Sequence, residues 1–308
     1  MRVGFIGLGT MGSSMALNLR AAGYDMVVND IRREAGAAHL QAGASWADSA
    51  RKVAEAADVV FTSLPGPPEV EQVAFGEDGL LAGMRRETAW FDLSTNSPTV
   101  VRRLHDLFNA KGVAMLDSPV SGGPAGAKSG RLALWVSGDE TVFNRYKPVL
   151  DVIGDQAMYV GPIGAGTVAK LVHNTAGYAI LAALAEVFTL GVKAGVEPLP
   201  LWQAIRQGAF GRRRTFDRLA EQFLPSQFDP AAFALKLAHK DITLATELGR
   251  ELNVPLRIAS LVHEELTEAL NRGWAERDSR IFMLLQEERA GVNIAVSVDK
   301  IREALTRG

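Results

Sequence analysis

Three glycines near the N-terminus, Gly7, Gly9 and Gly12, have the spacing of a loop that can hold phosphate groups. They follow a short apolar run, Val3–Ile6, and precede a segment with helical spacing, Met15–Ala22. The first glycine permits a tight turn, the second lets the backbone approach a pyrophosphate, and the third lets the next helix pack closely. The positive N-terminal end of that helix favours an anionic ligand. The motif predicts a dinucleotide site made from Gly7, Gly9, Thr10, Met11 and Gly12.

An acidic residue after the second predicted strand could choose between two cofactors. Asp30 lies 18 residues after Gly12, where a carboxylate can accept hydrogen bonds from ribose hydroxyls and repel a 2′-phosphate. This position favours NAD over NADP. Arg32 and Arg33 leave NADP open as the alternative, because an arginine near this strand end can hold the 2′-phosphate.

Short strand-like runs alternate with helical segments through the first half of the chain. The runs are Val3–Ile6, Met26–Asn29, Val59–Thr62, Trp90–Leu93, Val113–Leu116 and Leu132–Val136. Such alternation is typical of βαβ units and a mostly parallel sheet. The pattern predicts an α/β domain with a doubly wound sheet over residues 1–163.

The pattern becomes helical near Gly161. Gly166–Ala194 is rich in alanine, leucine and valine and contains no proline, which predicts one helix of about 28 residues. Further helical patterns cover Leu199–Gln207, Phe233–Leu252 and Ile258–Asn271. We therefore expect an all-α domain over residues 164–308, joined to the first domain by the long helix.

Composition excludes several classes of protein. The 308 residues include 33 Lys and Arg against 35 Asp and Glu, a net charge of −2, which argues against a nucleic-acid-coating protein. The chain has no cysteine, so disulfides, thiolate metal sites and a cysteine nucleophile are excluded. Histidine and carboxylate residues lack metal-ligand spacing, so no metal is expected. Because no run of about 18 apolar residues is present, we expect no membrane span and a cytoplasmic protein.

Four motifs, in this order, resemble those of the β-hydroxyacid dehydrogenase family, which includes 3-hydroxyisobutyrate dehydrogenase and tartronate semialdehyde reductase. They are residues 5–12 (FIGLGTMG), residues 117–123 (DSPVSGG), residues 164–174 (GAGTVAKLVHN) and Lys240-Asp241. The resemblance covers nearly the whole chain. It implies a Rossmann-type domain joined by one long helix to an all-helical domain, with the active site in the cleft.

The resemblance also implies which residues act on the substrate. Lys170 matches the catalytic lysine, and Asn174 matches the asparagine that follows it. Four residues apart on a helix, the two side chains project from one face, so Asn174 could bind the substrate hydroxyl or carboxylate. Ser121, Gly122 and Gly123 match the substrate loop, whose backbone N–H groups could hold a carboxylate.

Further matches concern the cofactor. The resemblance implies that Leu64, Pro65 and Thr95 contact it, and that Lys240 reaches cofactor or substrate with Asp241 orienting the ammonium. The implied cofactor is NAD, with NADP as the alternative.

A lysine must meet two demands to move a proton in this reaction. It accepts a proton near neutral pH only where burial or a nearby cation lowers its pKa. In the direction of reduction, Lys170 would instead donate a proton, as an ammonium, to the forming alkoxide.

The chain departs from the family pattern at two places. His173 stands where the family usually has a second asparagine, and it either packs or lines the substrate pocket. Arg212, Arg213 and Arg214 form a basic run in a nearly neutral chain. They are either a solvated helix start or a site for a second anionic group on the substrate.

The leading hypothesis is therefore an NAD-dependent dehydrogenase of a small β-hydroxy acid, or a reductase of the matching semialdehyde, with a substrate that could be dianionic. One alternative is an imine reductase-like enzyme, against which Lys170 counts. Another is a dinucleotide-binding module without catalysis. The resemblance further implies a homodimer or homotetramer formed through the helical domain.

Overall fold

Nine strands form one sheet in the part of the chain that the computed structural model describes, residues 1–208, 211, 216–253 and 255–306. All six predicted strands are present, and three more pair beside them. The strands are β1 (Arg2–Ile6), β2 (Asp25–Asn29), β3 (Ser45–Trp46), β4 (Val59–Thr62), β5 (Ala89–Asp92), β6 (Ala114–Asp117), β7 (Val120–Ser121), β8 (Ala133–Ser137) and β9 (Gln156–Gly161).

The strand order is β3-β2-β1-β4-β5-β6-β8-β7, with β9 paired to β8. Strands β1 to β6 pair in parallel, for example Val3 with Met26 on β2 and with Val59 on β4. Strand β8 runs antiparallel to β6 and β7 and parallel to β9. This order confirms the doubly wound sheet, because the chain reverses direction across the sheet between β3 and β4.

Helices cover both faces of the sheet. They are α1 (Gly12–Ala21), α2 (Ala37–Gln41), α3 (Ala50–Ala56), α4 (Pro67–Ala74), α5 (Leu80–Gly83), α6 (Pro98–Ala110), α7 (Gly123–Ser129) and α8 (Glu140–Ile153). Local sequence explains several helix starts. Proline occupies a first-turn position of α4 and α6, where its missing N–H would have no intrahelical partner. Asp139 caps α8 by accepting from Thr141 N and Val142 N, at 2.7 and 3.1 Å.

Alternate residues of each strand supply two separate cores. On one face the buried rings of Phe5, Phe61 and Phe91 stack across β1, β4 and β5, with centroids 6.3 and 5.3 Å apart. On the other face Val60 and Trp90 belong to a second buried cluster. Because both faces are buried, these strands are near-continuous apolar runs, which is why the sequence pattern found them.

The described part of the second half is helical, as expected. Its helices are α9 (Ala165–Lys193), α10 (Pro198–Gln207), α11 (Leu235–Glu251), α12 (Arg257–Asn271), α13 (Leu284–Ala290) and α14 (Val298–Thr306). They enclose a core that includes Phe188, Trp202, Phe223, Phe228 and Phe282. The sequence pattern did not predict α13 and α14, which are short.

The chain divides into two compact units, Met1–Val172 and His173–Gly308. The predicted boundary, between residues 163 and 164, lies just before α9, whereas the compact units divide within this helix. Helix α9 therefore contributes its first turns to one unit and the remainder to the other.

Helix α9 contains an apolar segment, Ala165–Ala185, with a mean hydropathy of 1.2 and 28% of its residues buried. By length and composition alone it could cross a membrane. The core helices of soluble proteins meet the same criteria, so this is weak evidence for a membrane span.

Two histidines stack between α11 and α12. The rings of His239 and His263 have centroids 4.6 Å apart. Nε2 of His239 lies 2.9 Å from Thr267 Oγ1, and Nε2 of His263 lies 3.0 Å from Thr243 Oγ1. Burial, and secondarily the neighbouring His263, lower the pKa of His239 below its usual 6.5. The folded helical unit therefore holds His239 in its neutral form.

We predict that acid destabilises the protein partly through His239. With a lowered pKa in the folded state, the unfolded chain binds more protons as the pH falls through about 6.5, so the free energy of unfolding decreases. Between about pH 7.5 and 5.5 the melting temperature of His239→Gln should fall less than that of the wild type. His105→Gln, on α6, is the matched control. An equal fall in wild type and His239→Gln would contradict the prediction.

Candidate active site

The turn between β1 and α1 leaves room for a ligand at one glycine and for nothing at the other two. Gly7 has φ +92°, and a Cβ there would lie 2.3 Å from Ser63 O. A Cβ on Gly12 would lie 1.9 Å from Gly7 O. A Cβ on Gly9 would meet no atom within 4 Å, and this residue is exposed. The turn therefore packs against the protein at Gly7 and Gly12 and is open at Gly9, which fits a loop that binds a pyrophosphate.

Helix α1 starts at this open side. Met11 precedes it without a side-chain cap, so the first-turn N–H groups are not covered by a protein side chain there. Thr10 is exposed and Met11 half-buried. A helix start without a side-chain cap, together with the positive helix end, suits a phosphate group at this position.

Asp30 stands at the carboxyl end of β2 with its side chain only 9% exposed. Its Oδ2 accepts from Leu8 N at 2.7 Å, and its Oδ1 accepts from Arg32 N at 2.9 Å. The Arg32 Nε lies 3.8 Å from Oδ1. The carboxylate is held against the glycine turn, and each of its oxygens retains a lone pair for a further donor. That placement fits recognition of ribose hydroxyls.

The second arginine after Asp30 is engaged elsewhere. Nη1 of Arg33 lies 2.9 Å from Asp48 Oδ1, and its guanidinium stacks over the Trp46 ring at 5.3 Å from the centroid. Trp46 Nε1 donates to the same Asp48 oxygen at 2.9 Å. Arg33 would have to leave these partners to bind a 2′-phosphate, which favours NAD.

The loops that follow β4 and β5 are joined by a hydrogen bond. Leu64 N donates to Ser94 Oγ at 2.9 Å. Pro65 is exposed and Thr95 half-buried. The sequence-predicted cofactor residues of these loops thus lie at the same edge of the sheet as the glycine turn, because β1, β4 and β5 are parallel neighbours.

A buried carboxylate that the sequence analysis did not single out supports these loops. Asp92, 1% exposed, accepts from Thr62 Oγ1 at 2.9 Å, Ser94 N at 3.2 Å and Asn96 Nδ2 at 3.0 Å. Burial raises the pKa of Asp92, and the bonds from Ser94, Asn96 and Thr62 oppose that effect. The signal in the sequence is a charged residue inside an apolar run.

The predicted substrate loop follows β6. Ser121 is half-buried, whereas Gly122 and Gly123 are exposed and have φ +136° and +63°. Two successive residues with positive φ require glycine here. The backbone of this loop is thus open to a ligand, as a carboxylate-binding loop requires.

Lys170 is half-buried and lies in the second turn of α9. The helix starts against a second buried carboxylate, Asp117, at the end of β6. Gly164 N donates to Asp117 Oδ1 at 2.8 Å, and Thr167 N and Oγ1 donate to Oδ2 at 2.6 and 2.8 Å. The sequence analysis quoted Asp117 within a motif and gave it no role. An acidic residue at a strand end, followed later by a Gly-x-Gly helix start, is the signal that could have found it.

In the helical unit, α9 and α11 bring together two of the predicted residues. Asn174 Nδ2 donates to Asp241 Oδ2 at 2.5 Å, and Lys240 Nζ lies 2.8 Å from Asp241 Oδ1. Asp241 is 2% exposed. An ionised carboxylate can only accept hydrogen bonds. The Asn174 side chain therefore turns its NH₂ group, and not its carbonyl oxygen, toward Asp241.

Tyr178, one turn beyond Asn174, is a further half-buried polar residue that the sequence analysis missed. Its hydroxyl donates to Ser279 Oγ at 3.3 Å. Burial raises the pKa of Tyr178, so the hydroxyl stays protonated. Its spacing from Asn174 is the signal that could have found it.

Two further predicted features are His173 and the basic run. His173 is exposed on α9, and its position is rotated by about 100° from that of Asn174. Arg212, Arg213 and Arg214 lie outside the described residues. Among the described residues, no group of three or more histidine and carboxylate side chains could hold a metal ion.

Comparisons with known proteins identify the family and the class of reaction. A family model described as the NAD binding domain of 6-phosphogluconate dehydrogenase matches residues 2–161, and one described as NAD-binding of NADP-dependent 3-hydroxyisobutyrate dehydrogenase matches residues 164–285. The chain is 36% identical to 2-(hydroxymethyl)glutarate dehydrogenase of Eubacterium barkeri, over 96% of this chain and 98% of that one. It is 33% identical to 2-hydroxy-3-oxopropionate reductase of Escherichia coli, over 96% and 100%.

Solved structures of enzymes of both alternative classes resemble this fold. A 3-hydroxyisobutyrate dehydrogenase from Salmonella typhimurium superposes with a TM-score of 0.82 at 29% identity, over 92% of this chain and 99% of that one. An imine reductase from Pseudomonas sp. gives 0.58 at 18% identity, over 92% and 98%, a likeness that shows the fold alone. The chain therefore belongs to the β-hydroxyacid dehydrogenase family and is an NAD(P)-dependent oxidoreductase that acts on the CH–OH group of a hydroxy acid.

Proposed function

We propose that Lys170 is the proton-transfer group of this enzyme and that its substrate is a small β-hydroxy acid or the matching semialdehyde. The observation that carries the proposal is the placement of Lys170 and Asn174 one turn apart on α9, with Asn174 tied to buried Asp241 at 2.5 Å. A base must lie beside an orienting group to move a proton from a positioned hydroxyl. The spacing of Lys170 and Asn174, one turn apart on the same helix, supports these two roles.

Bound nicotinamide supplies the hydride acceptor for oxidation or the hydride donor for reduction. The chain's residues supply the rest. Lys170 Nζ takes the proton of the substrate hydroxyl in oxidation, and in reduction its ammonium returns a proton to the forming alkoxide. Asn174 binds the hydroxyl or the carboxylate and so fixes the carbinol beside Lys170.

The carboxylate of the substrate needs donors that do not depend on a mobile side chain. We assign this role to Ser121, Gly122 and Gly123, whose exposed backbone fits it. Lys240, paired with Asp241, adds a positive charge at the helical unit. It serves the cofactor or the acid group.

The cofactor is held through the first unit. Gly7, Gly9, Thr10, Met11 and Gly12 form the pyrophosphate turn, Asp30 binds the ribose, and Leu64, Pro65 and Thr95 line the other half. The open side of Gly9 and the enclosed carboxylate of Asp30 support this assignment. NAD is the preferred form, because a 2′-phosphate would meet the Asp30 carboxylate.

A dianionic substrate is a further part of the proposal. A relative that is 36% identical is named for a glutarate, a molecule with two carboxylates. The chain's basic run, Arg212, Arg213 and Arg214, could bind a second carboxylate by a bidentate fork. This part rests on the sequence and on the name of that relative.

We also propose a cytoplasmic homodimer or homotetramer. Exposed apolar side chains of the helical unit support an interface between copies: Ile180 is 43% exposed, Leu252 63%, Ile258 60% and Leu261 60%. The molar mass in solution, from light scattering during gel filtration, tests this.

Replacing Lys170 with alanine should abolish turnover and leave cofactor binding intact. Loss of a positioned acid–base group lowers kcat by about 10²–10⁴-fold. The assay follows NADH formation with 3-hydroxyisobutyrate, D-glycerate, 3-hydroxypropionate, serine and two dianionic hydroxy acids. NADH affinity is measured by fluorescence titration. Lys193→Ala, on the same helix, is the matched control. Full turnover by Lys170→Ala would reject the role of Lys170.

Replacing Asp30 with asparagine should shift cofactor preference toward NADP. The substitution keeps an oxygen for Leu8 N but removes the charge that repels a 2′-phosphate, so the ratio of kcat/KM for NADP to that for NAD should rise about tenfold or more. Asp25→Asn, at the other end of β2 and 66% exposed, is the control. An unchanged ratio in Asp30→Asn would show that Asp30 does not select the cofactor.

A further inference from the structure

Helix α9 begins at a buried carboxylate, that of Asp117. Besides its bonds from Gly164 N and Thr167, Asp117 accepts from Ser137 Oγ, which in turn accepts from Gly166 N at 2.9 Å. Asp117 is 1% exposed and Thr167 is fully buried. A buried carboxylate with this set of donors is held in one orientation.

Two of these donors, Gly164 N and Thr167 N, are backbone N–H groups at the start of α9. The first N–H groups of a helix cannot bond within it, and a carboxylate placed there also interacts with the positive helix end. Ordinary capping uses a side chain from the residue just before the helix. Here the carboxylate comes from β6, 47 residues before Gly164 in the sequence. The cap therefore links the sheet to the start of α9, in addition to satisfying the N–H groups there.

Packing leaves the first turn little freedom to move. A Cβ on Gly166 would lie 2.2 Å from Trp135 O and 3.1 Å from Asp117 Oδ2. Gly164 has φ +90°, a backbone conformation that residues with a side chain rarely adopt. Both glycines let α9 begin in contact with the ends of β6 and β8. The rotation of α9 about its axis is thereby fixed at its first turn.

We propose that Asp117 is the positioning residue for Lys170, an inference that rests on the proposed function. Lys170 lies three residues, less than one helical turn, after Thr167, which contacts the carboxylate. A rotation or shift at the first turn moves the Lys170 side chain by the same angle or distance. Proton transfer is sensitive to such movement, since a misplacement of about 1 Å can lower the rate by about 10²-fold.

The test uses two substitutions that disturb the cap and two that do not. Asp117→Asn removes the charge and one acceptor, and Thr167→Val removes only a hydroxyl donor. Thr167→Ser restores that hydroxyl. Thr189→Val, on the same helix, removes a buried hydroxyl that has no hydrogen-bond partner. For each variant we would measure kcat and KM with the best hydroxy acid, NADH affinity and the melting temperature.

If Asp117 positions Lys170, Asp117→Asn lowers kcat by about 10- to 100-fold while NADH affinity stays within about twofold. Thr167→Val lowers kcat less, Thr167→Ser recovers most of that loss, and Thr189→Val keeps the wild-type kcat. If Asp117→Asn does not fold, the comparison of Thr167→Val with Thr167→Ser decides alone.

Two outcomes overturn the inference. An unchanged kcat in both Asp117→Asn and Thr167→Val would do so, as would equal losses in Thr167→Val and Thr189→Val, which indicate a general effect of hydroxyl removal. Lys170→Ala separates this result from a failure of the proposed function. If Lys170→Ala keeps full turnover, the role of Lys170 itself is wrong. If Lys170→Ala is inactive while the Asp117 and Thr167 variants keep their kcat, only the positioning role is wrong.

Discussion

The parallel pairing of β1, β2, β4, β5 and β6 is the constraint on which the first unit depends. Parallel neighbours place all their carboxyl ends at one edge of the sheet. The loops that leave these ends carry Gly7, Asp30, Leu64, Thr95 and Ser121, which are far apart in the sequence. The common direction of the strands therefore gathers the loops that are predicted to bind cofactor and substrate.

Three buried carboxylates then fix the loops and helices in detail. Asp92 underlies the β4 and β5 loops, Asp117 holds the start of α9, and Asp241 joins α11 to Asn174. A buried charge is costly unless donors surround it. Each of these sites meets that demand with backbone N–H, hydroxyl, amide or ammonium groups. The hydrogen bonds that satisfy these carboxylates also order the donor groups. The same contacts therefore satisfy the buried polar groups and hold the residues of the site in place.

The comparison with the family identifies the class of reaction, whereas the side chains around the substrate determine which acid is bound. Relatives that cover nearly the whole chain are named for a glutarate and for a hydroxy-oxopropionate. A scaffold with the same Rossmann-type sheet and helical unit also serves an imine reductase. Shared architecture thus accommodates different activities, because function depends on the residues that a fold carries and not on the fold alone.

The sequence by itself determined the elements and the motifs. Six strands were predictable because both faces of the sheet are buried, which makes apolar runs such as Val59–Thr62 continuous. The glycine turn was predictable because only glycine fits at Gly7 and Gly12. Helix α9 was predictable because nothing interrupts its pattern. Short edge strands such as β3 were not predicted, because two residues are too few to show a periodic pattern.

Only the tertiary structure decided which polar groups meet. Spacing gave Lys170 and Asn174 a common helix face but could not show that Asp241, 67 residues later, holds the Asn174 amide. Motif reading quoted Asp117 but could not show that it accepts a hydrogen bond from Gly164, 47 residues further on, at the start of α9. Such pairings depend on how strands and helices pack, and a hydrogen bond between distant residues leaves no periodic signal in the chain. The sequence therefore named the chemical groups, and the fold assigned their partners.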